Sequence, residues 1–550
     1  MIIKFDQSPE EYYRLSRAAL ERKEPDRAMI YGEKALRGKG TTEYKLSLAE
    51  IFLSMGRWSE AADLALDALC YGRGMRAEIY DVLARAASEM GLFYESLHYI
   101  AKKAHYEGDE DALDAMDEVM QEITAGEEPD PSPFFVVGKQ PKREDSLSLM
   151  HASFALSRGD AEAAISAADE VGADSEHYLA ARNIRLRALV RRKEDDLAIA
   201  EAEAIVKKDP KNAYALCILV ERYKKKEYLP MLAGVEGSRE DLYFAIVTAE
   251  HLGEHAVAAT LADKMLAHDP YLAEAYFAAA AVSLNGGDRE KSEILLKRLF
   301  ELYPKYPAAL ILKGWRRLKR CDPSFRGRIP AEVLRMLKAY VRKGAHDSGE
   351  FIRSLLTDES YRSALTLLLE EGEEELTSRA LRFFGAENNR QADAFFSKFL
   401  IRNEIDVLLK RAILAELLFH KDKGKIFLAQ TVVPVSVSCV KPPHFPEYCD
   451  PLRQAYVNVF SFVMTMTDAG GEERLWALAE ETHRAGVAED ETPEIVMAAL
   501  LDRLLSEHLI PIGGGARTVE DACRFIMMCA FGVTRFSYAR ARKLSVLLGR

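Results

Sequence analysis

No stretch of 18 apolar residues occurs in the 550, so no helix expected from this sequence spans a bilayer. Cysteine is scarce. The seven residues Cys70, Cys217, Cys321, Cys439, Cys449, Cys523 and Cys529 are scattered and odd in number, which suits reduced thiols in a cytosol better than a disulfide framework. Behind Met1-Ile-Ile-Lys-Phe-Asp6 there is no apolar core of an export signal, so the expected location is cytoplasmic. Positive charge is in deficit: 75 Lys and Arg face 87 Asp and Glu, for a net charge of −12, which argues against a polyanion-binding surface over the whole chain. Catalytic signatures are missing as well, with neither a Gly-x-Ser-x-Gly elbow nor the Gly-x-x-x-x-Gly-Lys-Ser/Thr spacing of a phosphate loop. Gly38-Lys-Gly-Thr-Thr42 follows a helix where a phosphate loop would follow a strand, and Gly513-Gly-Gly515 has no Lys, so both read as connectors.

What the sequence has is length, 48% hydrophobic residues and 29% charged residues, enough for three to four folding units. It also has a repeat. Gly56-Arg-Trp-Ser-Glu-Ala61 returns 35 residues on as Gly91-Leu-Phe93-Tyr-Glu-Ser96, and the phrase recurs at Gly159, Gly253 and Gly287; Pro270 and Pro304 are 34 residues apart. Each phrase reads as a tight turn entering a helix. A helix of about 14 residues is marginal alone in water, so each must bury an apolar stripe on the next. Small residues allow close approach, and Trp58 and Phe93 are expected to fill the gaps between repeats.

This pattern resembles the tetratricopeptide repeat, with small residues at positions 8, 20 and 27 and proline at 32. In that frame repeats start near Pro9, Thr42, Ala77, Asp145, Leu179, Arg239 and Ala273. Ala49, Ala61 and Ala68 fall on positions 8, 20 and 27, while Pro210, Pro270 and Pro304 fall on 32. The resemblance implies an all-α fold with a right-handed α-α superhelix; beyond Arg320 helical periodicity persists without the 34-residue motif and predicts a second α-helical domain, HEAT-like or irregular. The expected boundaries are a first array over 1–124, an acidic and Pro-rich linker over 125–144, a second array over 145–320 and a C-terminal helical domain over 321–550. A helix is expected near Asp111–Thr124. Between Asn212 and Ser238 the period fails, because Tyr228–Gly237 is too short for a full second helix. The β-branched run from Lys425 to Val440 predicts a small β-hairpin, and Thr518-Val-Glu-Asp521 predicts a helix N-cap.

The resemblance also places a groove. In this family the first helices line the groove chiefly through positions 2, 5, 9, 12 and 13, so the resemblance points to Tyr13, Arg17, Glu50, Asp81 and Arg85 in the first array, and to Asn183, Arg187, Arg191, Tyr243, Phe277 and Trp315 in the second. Mixed charge with aromatics suits an extended peptide or helix of a protein partner. The carboxylate-clamp variant of this family expects Lys and Asn where this chain has Tyr13 and Arg17, so binding of a chaperone tail is not implied. The expected function is a non-enzymatic scaffold without cofactor, metal or catalytic residue. His251-Leu-Gly-Glu254-His255 has metalloprotease spacing, but Gly253 breaks the helix that would align the histidines. Cys439, His444 and Cys449 supply three ligands without a Cys-x-x-Cys knuckle. An alternative reading is a peptide-sensing regulator that contacts nucleic acid. Residues 313–343 carry 11 Lys or Arg against two acids, and 524–550 carry six against none. The acidic run of 107–130, with 11 acids and no base, reads as a solvated cap and linker.

Overall fold

The computed structural model describes residues 7–113, 148–323, 329–510 and 518–548, apart from single positions and short stretches within those spans. Most of the acidic run, the linker, Cys439 and Gly513–Gly515 lie outside the described residues, as do the side chains of Phe93 and Cys529. The chain divides into two compact units, Met1–Gly138 with Val341–Arg550, and Lys139–Tyr340.

The first unit begins with three helical hairpins: α1 (Pro9–Glu21) with α2 (Pro25–Gly38), α3 (Thr42–Ser54) with α4 (Trp58–Tyr71), and α5 (Arg76–Glu89) with α6 (Phe93–Glu107). Ser8 and Thr41 cap α1 and α3 by accepting from Glu11 N and Tyr44 N. Ala49, Ala61 and Ala68 have no exposed surface, so the paired helices meet almost backbone to backbone. Where serine replaces one of these alanines the hydroxyl is satisfied across the hairpin. Ser16 Oγ donates to Ala28 O (2.7 Å), Ser96 Oγ to Ala84 O (2.9 Å) and, in the second unit, Ser292 Oγ to Ala280 O (2.7 Å). Trp58 departs from expectation: at the first residue of α4 it is 37% exposed instead of filling a gap between repeats.

The second unit continues the same construction. Tyr178–Arg192 pairs with Asp195–Lys208, Arg239–His251 with His255–His268, and Ala273–Asn285 with Arg289–Leu302. At the expected break, Ala213–Cys217 runs on as a π-helical turn over Ile218–Arg222, closed by Tyr223 N to Ile218 O (3.2 Å). A 3₁₀ turn (Lys226–Tyr228) and a single α-turn (Leu229–Leu232) stand where the second helix would be.

Position 15 of each repeat has a left-handed backbone: Gly56, Gly91, Gly159, Gly253 and Gly287, but also Lys23 and Lys193 (φ 59° and 60°). A side chain there costs about 1 kcal/mol that glycine avoids. Lys193→Gly is therefore expected to stabilise the protein by up to about 1 kcal/mol, read as a higher urea midpoint. A loss of stability would mean that the lysine stem packs on the hairpin.

Beyond Val341 the first unit resumes with helices of 10 to 17 residues and no 34-residue period. The β-hairpin is present as β1 (Lys425–Ala429) antiparallel to β2 (Pro434–Ser438), in register from Lys425↔Ser438 to Ala429↔Pro434. It packs against the first array. Buried Tyr99 on α6 donates through its hydroxyl to Val432 O (2.5 Å) in the hairpin loop, and Tyr71 meets Phe427 edge to face at 5.4 Å. Asn403 N and Nδ2 both donate to Asp63 Oδ1 on α4 (2.9 and 3.1 Å). Lys410, 2% exposed, donates from Nζ to Ala429 O (2.6 Å). Near the end of the described chain, Thr518 Oγ1 caps its helix by accepting from Asp521 N. The last helix, Tyr538–Leu547, is fixed to Pro493–Ser506 through Asp502, which has no exposed surface and accepts from Tyr538 Oη, Arg542 Nη1 and Ser545 Oγ.

Candidate functional site

In the first array three of the expected groove residues come together. Arg85 Nη1 reaches both oxygens of Glu50 (3.0 Å each) and Asp81 Oδ2 (3.5 Å), and Asp81 also accepts from Lys103 Nζ (2.7 Å). Positions 9 of successive first helices are adjacent, so Glu50 and Arg85 neutralise each other across the repeat boundary. Such a half-exposed pair contributes little to stability, but it leaves little free charge for a partner. Tyr13 stacks on Tyr44 with ring centres 4.7 Å apart, and burial, helped by Glu43, raises its phenol pKa. Arg17 is exposed one helical turn away.

The second unit holds a cleft of about 390 Å³ on the first-helix face of its array. Arg187 and Arg191, one turn apart on Tyr178–Arg192, line it with Ile184 and Val190 from the same helix. Ser153 and Leu156 close one side and Tyr214 the other. Arg191 is held in place by donating from Nη1 to Leu156 O (2.6 Å), while the Arg187 guanidinium lies 5.8 Å from the Tyr214 ring centre. Burial raises the Tyr214 phenol pKa, and Arg187 opposes that shift. Tyr214 in turn meets Phe244 edge to face at 6.0 Å, and Phe244 is 50% exposed. Apolar walls, two guanidiniums and an aromatic shelf thus share one side of the array.

The other expected residues are placed differently. Asn183 is half-buried, and its Oδ1 is buried without a hydrogen-bond partner among the described residues. Tyr243 donates to Pro323 O (3.1 Å) and is partly buried, so its neighbour Phe244 is the residue that reaches solvent. Phe277 and Trp315 have no exposed surface: Phe277 packs edge to face on Tyr306, and Trp315 Nε1 donates to Ser292 Oγ (2.9 Å). They are core residues: Tyr306 packs over Phe277, and Trp315 turns onto Ser292 of the preceding helix, so neither faces a groove. Tyr214 and Phe244 were missed. Tyr214 stands 36 residues after Tyr178, in the repeat whose second helix is missing, and Phe244 is offset by one from the expected position.

The remaining candidates resolve individually. One helix ends at His251 and the next begins at His255, with Gly253 at φ 78° between them; His251 Nδ1 meets Glu221 (2.8 Å) and His255 Nδ1 meets Glu250 (3.0 Å). His444 Nδ1 lies 2.7 Å from Glu480, which also accepts from Tyr448 Oη. Among the described residues no three His, Cys, Asp or Glu side chains are placed to hold a metal ion, and no helix is long and apolar enough to cross a membrane. Five of the basic side chains in these stretches are paired: Arg316 with Glu293, Arg342 with Glu375, Arg524 with Glu520, Arg540 with Glu491 and Arg542 with Asp502.

Successive hairpins with small residues at their crossings and a left-handed turn at a fixed position define a helical-repeat protein with the tetratricopeptide fold. Several solved structures are similar to this chain at low identity. The TPR2AB domain–pHSP90 complex of yeast Sti1 is 15% identical, covering 54% of this chain and 98% of that one, with a TM-score of 0.19. Yeast Tom70 is 12% identical, covering 98% and 96%, with a TM-score of 0.21. The tetratricopeptide domain of P58(IPK) is 13% identical, covering 68% and 88%, with a TM-score of 0.15. No protein-family model and no curated protein sequence matches the chain.

Proposed function

We propose that the chain is a non-enzymatic scaffold that holds a segment of a partner polypeptide in the cleft of its second array. The observation that carries this reading is the cleft itself, about 390 Å³ lined by Leu156, Ile184, Val190, Arg187, Arg191 and Tyr214. Its volume lies within the range typical of ligand sites, and its mixture of aromatic and Arg side chains is the composition from which binding hot spots are drawn. Half-exposed Phe244 beyond Tyr214 extends the apolar surface along the array, as an elongated ligand requires. The first array supports this role less directly, since its Glu50–Arg85–Asp81 charges already satisfy one another. The nucleic-acid alternative is not favoured, because the C-terminal arginines 524, 540 and 542 are engaged with acids of the chain.

A photo-crosslinking amino acid at position 244 tests the reading in cells. Covalent adducts with polypeptide that survive nuclease are expected there, and several-fold fewer from Leu197, which is 54% exposed on the second helix of the hairpin that carries Arg187. Equal yields at the two positions, or adducts that vanish with nuclease, would reject it.

A further inference from the structure

The five arginines of the helix Tyr178–Arg192 are not equivalent. Arg182 and Arg185 both reach Asp169 and nearly buried Glu201. Arg192 pairs with Glu194 (2.8 Å), and Arg191 is spent on the Leu156 carbonyl. Arg187 alone makes neither an ion pair nor a hydrogen bond with any described residue. It is exposed, and its guanidinium lies 5.8 Å from the centre of the Tyr214 ring. A guanidinium presents five N–H donors in a rigid fork, and a carboxylate is the group that meets two of them in parallel. Here the fork stands in a cleft that it shares with Arg191 and Ser153 and with the apolar Leu156, Ile184 and Val190, where such a pair is screened less than on open surface.

The aromatic pair sets what must accompany the carboxylate. Tyr214 lies 5.8 Å from the Arg187 guanidinium and Phe244 lies 6.0 Å beyond Tyr214, so charge and half-exposed ring follow one another along the array. An extended chain advances about 3.3 Å per residue, so a side chain two to four residues from the acid arrives over these rings. We propose that the cleft selects an extended segment bearing an Asp or Glu side chain two to four residues from a large apolar residue, with the carboxylate on Arg187 and the apolar group on Tyr214 and Phe244. This rests on the groove reading above and specifies the chemistry of its ligand.

The test is selection of random dodecapeptides, displayed internally so that no chain end is free, on the full-length protein. Enriched sequences are expected to share an acid spaced two to four residues from Phe, Leu or Trp. A synthetic peptide of the enriched sequence, with both ends capped, should bind Arg187→Gln 10- to 100-fold more weakly, the loss of one charge-assisted hydrogen-bonded pair. Changing the peptide's acid to its amide should cause the same loss, and the two changes together should cost little more than either alone. Thermal unfolding of Arg187→Gln should come close to wild type, because exposed Arg187 loses only its ring contact with Tyr214 and no ion pair or hydrogen bond with a described residue. Enrichment without an acid, or losses that add fully, would overturn the inference while leaving the groove reading intact. Peptides whose binding ignores Arg187→Gln and Phe244→Ala alike would sink the groove reading itself. If instead a second library binds only through a free C-terminus, and amidation abolishes it, the carboxylate belongs to a chain end and the side-chain assignment fails.

Discussion

Asp502→Ala is expected to cost about 2–5 kcal/mol and to release the helix Tyr538–Leu547 from the rest of its unit. The carboxylate has no exposed surface and satisfies three donors from that one helix. Arg542, 48% exposed, can turn to water once its partner is gone, whereas Tyr538 and Ser545, residues 9% and 1% exposed, are left with unpaired hydroxyls. Each such orphan costs about 1–3 kcal/mol. A ten-residue helix has little stability of its own, so it stays folded only while docked. Hydrogen exchange should show fast amides over 538–547 in the variant, with α1–α6 protected as in wild type. Uniform loss of protection over both regions would mean that the helix is integral to the global core.

Lys410 should make stability depend on pH in the direction opposite to a surface lysine in an ion pair. Burial lowers its pKa from 10.5 to about 8, against the opposing pull of Asp63 and Asp406. The folded chain therefore gives up this proton near pH 8 and the unfolded chain near 10.5, so between those values the unfolded state binds more protons and stability rises with pH. Relative to Lys410→Met, which removes the titration and keeps a linear side chain, wild type should gain about 3 kcal/mol between pH 7.5 and 10.5. Urea midpoints of both proteins across that range give the answer, and a flat difference would place the ammonium in water. The burial has a local reason. Ala429 is in register with Pro434, which has no N–H to offer, and Lys410 Nζ supplies a donor to the Ala429 carbonyl.

The repeats could be read from the sequence because their determinants are local: small residues at hairpin crossings, glycine at the turn and proline after the second helix. Ser16, Ser96 and Ser292 occupy the crossing positions without disturbing them, since a hydroxyl is small and finds a carbonyl 12 residues away. Lys23 and Lys193 hid their turns, because a side chain that rarely adopts a left-handed backbone gives no turn signal. For the candidate site, Arg187 and Arg191 followed from the frame. Tyr214 did not, as its repeat lacks a second helix, and Phe277 and Trp315 carried no mark of the segments that cover them. Nor was the Asp502 contact legible: a single acid in an apolar helix becomes meaningful only when donors 36 to 43 residues later are folded against it.

The contact between Tyr99 and Val432 spans 333 residues of chain and closes a unit interrupted by Lys139–Tyr340. At a synthesis rate of about 5–20 residues per second, the first three hairpins emerge roughly 15 to 70 seconds before the hairpin loop that covers Tyr99 has been made. Through that interval the nascent chain presents Tyr99, 1% exposed once folded, without the hairpin that covers it, and so offers a holding chaperone an aromatic contact on the first array during translation.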